Sequence, residues 1–151
     1  MPKLHFVVNE DWGFISHFYE RAVAAQASGF IVEISAHCGE KKAVLEGAGF
    51  TIYPHNISRS GTNPFIEIQN LFAMIKVFRK SKPDIIHLIA LKPIVIGAIA
   101  ARIYGKAQVV CAPIGMGYLF SSNDRKARLL QPLVRFILRR LLNFKNTQVI
   151  I

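Results

Sequence analysis

The sequence has little cysteine and no recognisable metal-binding motif. Its two cysteines, Cys38 and Cys111, lie in or at the ends of predicted strands and form no Cys-x-x-Cys pair. This spacing indicates neither a zinc site nor a disulfide framework. The spacing of His5, His37 and His55 also lacks a metal-ligand pattern. We therefore expect no bound metal, and buried free thiols in a reducing compartment.

No hydrophobic stretch reaches the roughly 18 to 20 uncharged residues that a membrane-spanning helix requires. The longest stretches, 93–101 and 107–120, are too short or are interrupted by glycine and proline. Residues 1–8 lack the long apolar core and the small-residue cleavage site of a signal peptide. The sequence therefore predicts a cytoplasmic protein.

Acidic residues are scarce: the chain has 9 of them against 19 lysines and arginines, and its net charge is +10. Residues 124–145 hold seven basic residues and one acid, which gives a local net charge of +6. Such a concentration predicts a surface that meets anions. The chain lacks a nucleic-acid-binding motif and interleaved basic and aromatic residues, so nucleic acid is not an expected partner.

Hydrophobic residues make up 52% of the 151 residues, enough for one domain with a sizeable core. Strand-like and helix-like segments alternate along the chain, which predicts an α/β fold: a Rossmann-like, doubly wound parallel sheet in three αβα layers. The common strand order for such a sheet is 3-2-1-4-5-6. The predicted strands are 4–8, 30–36, 50–53, 85–90, 108–112 and 147–151, and the predicted helices are 16–28, 39–45, 64–82, 92–104 and 124–143.

The crevice of such a sheet opens at its carboxyl edge between the first and fourth strands, where the strand order reverses. Segments 9–16 and 90–93 are expected to line this crevice, with 113–121 beside them. We interpret 9–16 as a strand-to-helix turn that brings polar side chains, a glycine and free N–H groups to a ligand.

Asp11 and Ser16 flank Gly13 in this turn, but their spacing does not reproduce a nucleophile elbow. Each has two interpretations. Both residues either satisfy backbone N–H groups at the turn and helix start or bind substrate, and Asp11 is also a candidate catalytic residue. Trp12 either forms a wall of a sugar-binding pocket or covers the edge of the sheet.

Lys92 follows the fourth strand, where its ammonium and the helix N-terminus together favour a phosphate or diphosphate. The alternative is an exposed lysine. His87 lies within that strand and is expected to be a hydrogen-bonded core histidine. Gly115, Gly117 and Tyr118 belong to a glycine-containing loop without the lysine of a Walker loop, which is either a ligand-binding loop or a tight turn.

Two predicted helices are amphipathic. The helix from Pro64 has an apolar face that comprises Ile68, Leu71, Phe72, Ile75 and Phe78. In the segment 124–143, which we expect Pro132 to divide, a leucine-rich stripe lies beside a basic one. This segment either packs its leucines on the sheet or lies on an anionic membrane surface. In the second case the membrane-facing residues are Arg135, Arg139 and Arg140.

Three stretches, which together cover nearly the whole chain, carry a resemblance to a known family. They are Asp11-Trp12 with Ser16-His17 and Ala24-Ala25…Gly29, then Lys82-Pro83-Asp84-Ile-Ile-His87 with Lys92-Pro93 and Gly97, and finally Gly115-Met-Gly-Tyr118-Leu-Phe120. With them the chain resembles the N-terminal domain of a GT-B-fold glycosyltransferase of family 4. It is most similar to the bacterial branch that builds O-antigen, capsule or exopolysaccharide units on a polyprenyl-diphosphate lipid.

The resemblance implies a two-domain enzyme in which residues 1–151 form the acceptor-side domain. A C-terminal donor domain, absent here, would bind the nucleotide-sugar, so we expect no cofactor on this domain alone and no sugar transfer by it. The implied partners are that donor domain, a lipid-diphosphate-linked glycan acceptor and the anionic inner face of the cell membrane. The alternative is a non-catalytic nucleotide-binding or regulatory module of the same fold.

The chain departs from the family pattern at one catalytic position. Many members place a histidine in the loop after the fifth strand, whereas this sequence has Pro113-Ile114-Gly115 there. The paired glutamates typical of retaining members are also missing from these residues. No catalytic histidine is therefore assigned, and Asp11 stays the only catalytic candidate.

Overall fold

The computed structural model of the protein describes residues 1–59, 61, 63–115 and 125–150. Within these residues six strands form one sheet whose paired strands are all parallel. The strands are β1 (Lys3–Glu10), β2 (Ile31–His37), β3 (Thr51–Pro54), β4 (Ile85–Ile89), β5 (Gln108–Ala112) and β6 (Thr147–Val149). Their order is β3-β2-β1-β4-β5-β6, which confirms the predicted Rossmann-like α/β sheet and its strand order.

Helices connect the strands and cover both faces of the sheet. They are α1 (Asp11–His17), α2 (Tyr19–Ala27), α3 (Lys42–Gly47), α4 (Pro64–Ser81), α5 (Leu91–Tyr104) and α6 (Arg125–Leu142). One buried cluster lies beneath α1, α2 and α3 and includes Phe6, Phe14 and Leu45. A second lies beneath α4, α5 and α6 and includes Phe78, Leu88 and Ile94. The three predicted layers are therefore present.

The first helix begins five residues earlier than predicted. Helical structure starts at Asp11 and is interrupted at Phe18, whose backbone leaves the helical region with φ −125° and ψ −9°. The segment 9–16 is therefore the end of β1 followed by α1, and it is not an irregular turn. Phe18 is buried against the sheet, so this break turns the chain while keeping an aromatic side chain in the core.

The last helix also differs from its prediction. Pro132 lies inside the continuous helix α6 and does not divide it. A proline in a helix interior leaves the carbonyl four residues earlier without a donor. Both Pro132 and Arg128 are exposed, so water can bind that carbonyl and the helix continues.

The apolar face predicted for α4 is only partly buried. Ile75 and Phe78 lie in the core, but Ile68 is 52% and Phe72 61% exposed. The helix instead turns Asn70 and Met74 inward. Because residues two positions apart lie on nearly opposite sides of a helix, Ile68 and Phe72 then face outward. Phe65 is exposed as well, so the amino-terminal half of α4 presents an apolar surface outside the core.

The helix α5 is buried on most sides, as its composition predicts. Arg102, its one charged residue near the carboxyl end, donates hydrogen bonds to the backbone carbonyls of Arg140 and Leu141 and thereby attaches α6 to α5. Among the described residues, no helix is both long enough and apolar enough to cross a bilayer.

The contact between α5 and β4 depends on Gly97. A Cβ atom at this position would lie 2.3 Å from Cδ2 of the buried Leu88, far inside van der Waals contact. In contrast, a Cβ atom at Gly47, the last residue of α3, would have no neighbour within 4 Å. The absence of a side chain at Gly97 lets the helix approach the sheet.

We predict that Gly97→Ala lowers the free energy of unfolding by about 1–3 kcal/mol, since the added methyl group must displace Leu88 or the helix. The matched change Gly47→Ala should raise it by up to about 1 kcal/mol, because alanine favours a helix and meets no obstacle here. Urea denaturation followed by circular dichroism measures both. Equal effects of the two changes would refute this account of the contact.

Candidate functional site

A cavity of about 180 Å³ opens at the carboxyl edge of the sheet, between the ends of β1 and β4. This is where the strand order reverses and where a crevice is expected. Segments from three connections line it, together with one residue, Arg59, from the loop after β3. The lining residues are Val8, Asn9, Glu10, Trp12, Gly13, Phe14, His17, Phe18, Arg59, Ile89, Ala90, Ile114 and Gly115.

Of the residues proposed from sequence, Trp12, Gly13 and Gly115 line this crevice. Trp12 is 54% exposed, so a large part of its indole is open to solvent and can meet a ligand. Gly117 and Tyr118 lie outside the described residues. The other three proposed residues, Asp11, Ser16 and Lys92, are not among the lining residues, and their contacts explain why.

Asp11 is buried and links the start of α1 to the loop after β2. Its Oδ1 accepts the N–H of Trp12 at 2.7 Å, and its Oδ2 accepts the N–H groups of Gly39 at 2.7 Å and Lys41 at 3.2 Å. A buried carboxylate with such charge-assisted bonds holds its neighbours firmly. Of its two interpretations, the satisfaction of backbone N–H groups is the one that has these contacts.

The hydroxyl of Ser16 does not cap a backbone N–H group. It donates a hydrogen bond of 3.0 Å to the carbonyl of Trp12, one turn earlier in α1. The capping interpretation of Ser16 was wrong because α1 begins at Asp11, which puts Ser16 in its last turn and not at its start.

Lys92 is neither exposed nor directed into the crevice. Its ammonium donates to the backbone carbonyls of Ser58, at 2.6 Å, and Gly61, and it pairs with the carboxylate of Glu67 at 2.8 Å. The side chains of Lys92 and Glu67 are only 25% and 26% exposed. Lys92 therefore fastens the loop after β3 to the start of α5.

The same loop is attached to β1 by His55. The Nε2–H of His55 donates to the carbonyl of Val8 at 2.8 Å, while its Nδ1 accepts the N–H of Ile57 at 3.1 Å. Burial lowers the pKa of His55 to about 4, so the ring is neutral at pH 7. Ile57 itself is fully buried. Arg59, two residues further on, thus extends from an anchored loop.

Two features of the crevice were not recognised in the sequence. Arg59 lies in a polar loop of turn-forming residues. The one sequence feature that sets it apart is that no other residue of 56–63 is charged. Asn9 follows an apolar strand, and its Oδ1 is buried with no hydrogen-bond partner among the described residues. An unpaired buried acceptor is costly, and Asn9 is also one of the residues that line the crevice.

His87 lies behind the crevice in β4. Its ring packs against Phe6 and Phe18, with centroid distances of 5.2 and 5.9 Å. Burial, with a smaller contribution from the charge of Arg21, lowers its pKa to about 4. The expected hydrogen bond of His87 is not found: its Nε2 is buried and has no partner in the described part of the chain. Aromatic packing holds this ring in place.

The backbone of Ala90, at the crevice end of β4, is strained. Its φ of 74° and ψ of 165° lie in a region that is almost restricted to glycine. The residue precedes α5 and lines the crevice. An alanine gives no sequence signal for such a conformation, so this feature could not be predicted. Backbone strain of this kind is often found at functional sites.

A second cavity of about 430 Å³ lies between α4, α5 and α6. Gly61 of the loop after β3 and Lys92 of α5 border it, and its other lining is almost entirely apolar. That lining consists of Glu67, Leu91, Val95, Ile96, Leu133, Val134 and Ile137.

The basic helix α6 packs on the domain through only part of its apolar stripe. Leu138 and Leu141 are buried against the core, whereas Leu129, Leu133 and Phe136 are about half or more exposed. Arg139 and Arg140 are exposed, as is Arg135. The helix therefore packs on the domain and presents an apolar and basic surface.

We predict that Asp11→Ala lowers the free energy of unfolding by about 3 kcal/mol, because it leaves three backbone N–H groups without their acceptor. Ser16→Ala is the matched control, and its effect should stay within about 0.5 kcal/mol since this hydroxyl is exposed. Chemical denaturation compares the two. A small effect of Asp11→Ala would show that its hydrogen bonds do not hold the start of α1 to the loop after β2.

Ala90→Gly should stabilise the protein by about 1 kcal/mol, since glycine adopts this backbone conformation without strain and the relief exceeds its entropic cost. As a control, Ala24→Gly in the exposed middle of α2 should destabilise it by about 1 kcal/mol. Thermal denaturation gives both values. A loss of stability in both variants would rule out the strain at Ala90.

Comparisons with known proteins agree with this fold. Among solved structures, the chain is similar to Acinetobacter baumannii MurG (TM-score 0.61, 19% identity, 75% of this chain and 35% of that one). It is also similar to a glycosyltransferase from Rickettsia africae ESF-5 (0.61, 16%, 99% and 42%) and to S. aureus MnaA in its UDP co-structure (0.63, 16%, 93% and 37%). The chain thus spans about 35 to 42% of the length of these proteins.

No curated protein sequence is significantly similar to the chain. The family model described as glycosyl transferase 4-like, however, matches residues 3–151. This match extends over the sheet, the crevice and α6, and it confirms the resemblance that the sequence motifs indicated. The chain therefore belongs to the glycosyl transferase 4-like family.

Proposed function

We propose that this chain is the acceptor-binding domain of a glycosyltransferase that takes a sugar from a nucleotide-sugar donor. The observation that carries the proposal is the crevice at the carboxyl edge, with an exposed indole on its wall. Membership of the glycosyl transferase 4-like family supports it. The chain spans less than half of similar glycosyltransferase structures, which is consistent with a second, donor-binding domain.

In this proposal the crevice residues bind the sugar of the acceptor. Trp12 offers an apolar ring face to a sugar ring, and Asn9 adds a polar side chain to the same lining. Gly13 and Gly115 leave room for a close approach. Asp11 acts indirectly, since its Oδ1 accepts the N–H of Trp12 while its Oδ2 accepts the N–H of Gly39 in the loop after β2.

The acceptor in this proposal is a lipid-diphosphate-linked glycan of the kind used in the synthesis of cell-surface polysaccharides. The half-exposed apolar residues of α4 and α6 support a peripheral position on the inner face of the cell membrane. The exposed arginines of α6 add attraction to anionic lipid, about 1 kcal/mol for each basic residue near the surface.

The transfer reaction tests the role of Trp12. In the protein that carries this chain, Trp12→Ala should lower kcat/KM for a short-chain prenyl-diphosphate glycan by roughly 10- to 100-fold, the loss of about 1.4–2.7 kcal/mol of binding to the sugar. Phe144→Ala, an exposed aromatic residue outside the crevice, should have little effect. Absence of any transfer from nucleotide-sugar donors would instead favour a nucleotide-binding or regulatory module.

Vesicle co-sedimentation tests the membrane surface. Replacing Arg135, Arg139 and Arg140 with glutamine should reduce binding to anionic vesicles at least tenfold, and salt should weaken the binding of the unmodified protein. The control replaces Arg21, Lys41 and Lys42, on the opposite layer of the sheet, and should bind nearly as well as the unmodified protein. If both triple variants lose vesicle binding equally, the binding depends on the net charge of the protein and not on the surface of α6.

A further inference from the structure

Arg59 brings a positive charge to the crevice, whose lining also includes one acidic residue, Glu10. Among the described residues that line it, Arg59 is the only one whose charge is always positive. No hydrogen bond or ion pair to Arg59 occurs within the part of the chain that the structure describes, and its side chain is exposed. A guanidinium group in this setting is well suited to bind an anion with two parallel hydrogen bonds.

Lys92, which holds the loop that carries Arg59, has no donor left for a ligand. An ammonium group has three N–H donors, and those of Lys92 are matched by the carbonyls of Ser58 and Gly61 and the carboxylate of Glu67. The two carbonyls flank Arg59 in sequence, one residue before it and two after it. Lys92 therefore fixes the backbone on both sides of Arg59.

Further contacts limit the movement of this loop. His55 joins its start to the end of β1 through the carbonyl of Val8, and Ile57 is inserted into the core. With the bonds of Lys92 to the carbonyls of Ser58 and Gly61, the described residues of this loop are attached to β1, to the core and to α5. The position of the Arg59 backbone is thus determined before a ligand arrives.

We propose that Arg59 binds the diphosphate group of a substrate at the crevice and that Lys92 is a positioning residue for Arg59. This inference rests on the proposed function and names a specific anion site within it. The shared chemistry is a diphosphate, which occurs both in a nucleotide-sugar donor and in a lipid-diphosphate acceptor.

The apolar cavity between α4, α5 and α6 favours the lipid-diphosphate acceptor over the nucleotide-sugar donor as the source of the diphosphate. Gly61 lines that cavity and Arg59 lines the crevice, and two residues along a chain are at most about 7 Å apart. A prenyl diphosphate held by Arg59 can therefore place its hydrocarbon chain among Leu91, Val95 and Leu133. A nucleotide diphosphate gains nothing from such a lining.

Isothermal titration calorimetry with inorganic pyrophosphate, farnesyl diphosphate and UDP tests the proposal. Arg59→Gln should weaken the binding of pyrophosphate at least tenfold, and Arg59→Lys should weaken it less. Arg79→Gln, which removes one exposed charge from the end of α4, should stay within twofold of the unmodified protein. Since Arg59 is exposed, its replacement should leave the melting temperature unchanged.

A double-mutant cycle separates positioning from direct binding. Lys92→Met is combined with Glu67→Gln so that no unpaired carboxylate is left, and hydrogen exchange should become faster in 55–61. This pair should weaken pyrophosphate binding in the presence of Arg59 but not further in Arg59→Gln, because a positioning residue acts only through the residue it holds. Additive losses would show that Lys92 contacts the anion itself and would overturn the positioning role.

The binding site is overturned if the unmodified protein does not bind pyrophosphate, or if Arg59→Gln binds it equally well. Tighter binding of farnesyl diphosphate than of UDP, lost in Arg59→Gln, supports the site and assigns the lipid source; the reverse order supports it with the nucleotide source. These results are independent of sugar transfer. Transfer without Arg59-dependent binding contradicts only this inference, and Arg59-dependent binding without transfer contradicts only the proposed function.

Discussion

The parallel pairing of β1 with β4 is the constraint on which the site depends. Because both strands end at the same edge while their following helices cover opposite faces of the sheet, the backbone separates there and leaves a crevice. The core on each face holds these strands in register, from Leu4 opposite Ile85 to Val7 opposite Leu88. The crevice is lined by the ends of this pair, by the segments that follow them and by residues after β5, with Arg59 from the loop after β3.

Two charged side chains next to the crevice hold the backbone in place. Asp11 accepts three N–H groups and links the end of β1 to the loop after β2. Lys92 donates to two carbonyls and one carboxylate and links the loop after β3 to α5. These anchors support the two side chains that we propose to bind a ligand, Trp12 and Arg59. Asp11 and Lys92, the charged residues that the sequence motifs pointed to, therefore hold the backbone and in this proposal do not contact the ligand.

The alternation of apolar and amphipathic segments was sufficient to predict the sheet, its strand order and the place of the crevice. It could not predict the contacts of Asp11, whose partners Gly39 and Lys41 are 28 and 30 residues away. It also placed the start of the first helix five residues too late. The strained backbone of Ala90 has no signature in its residue type. The burial of Ile68 and Phe72 depends on how far α4 extends along the core, which helical periodicity does not specify.

The chain contains a single tryptophan, Trp12, so its intrinsic fluorescence reports directly on the crevice. The most direct measurement is a titration of the protein with a short-chain prenyl-diphosphate sugar, followed by tryptophan emission. The account predicts a saturable change in emission, with a matching dissociation constant from calorimetry. Saturable binding by calorimetry without any change in the emission of Trp12 would place the acceptor elsewhere and contradict the central claim.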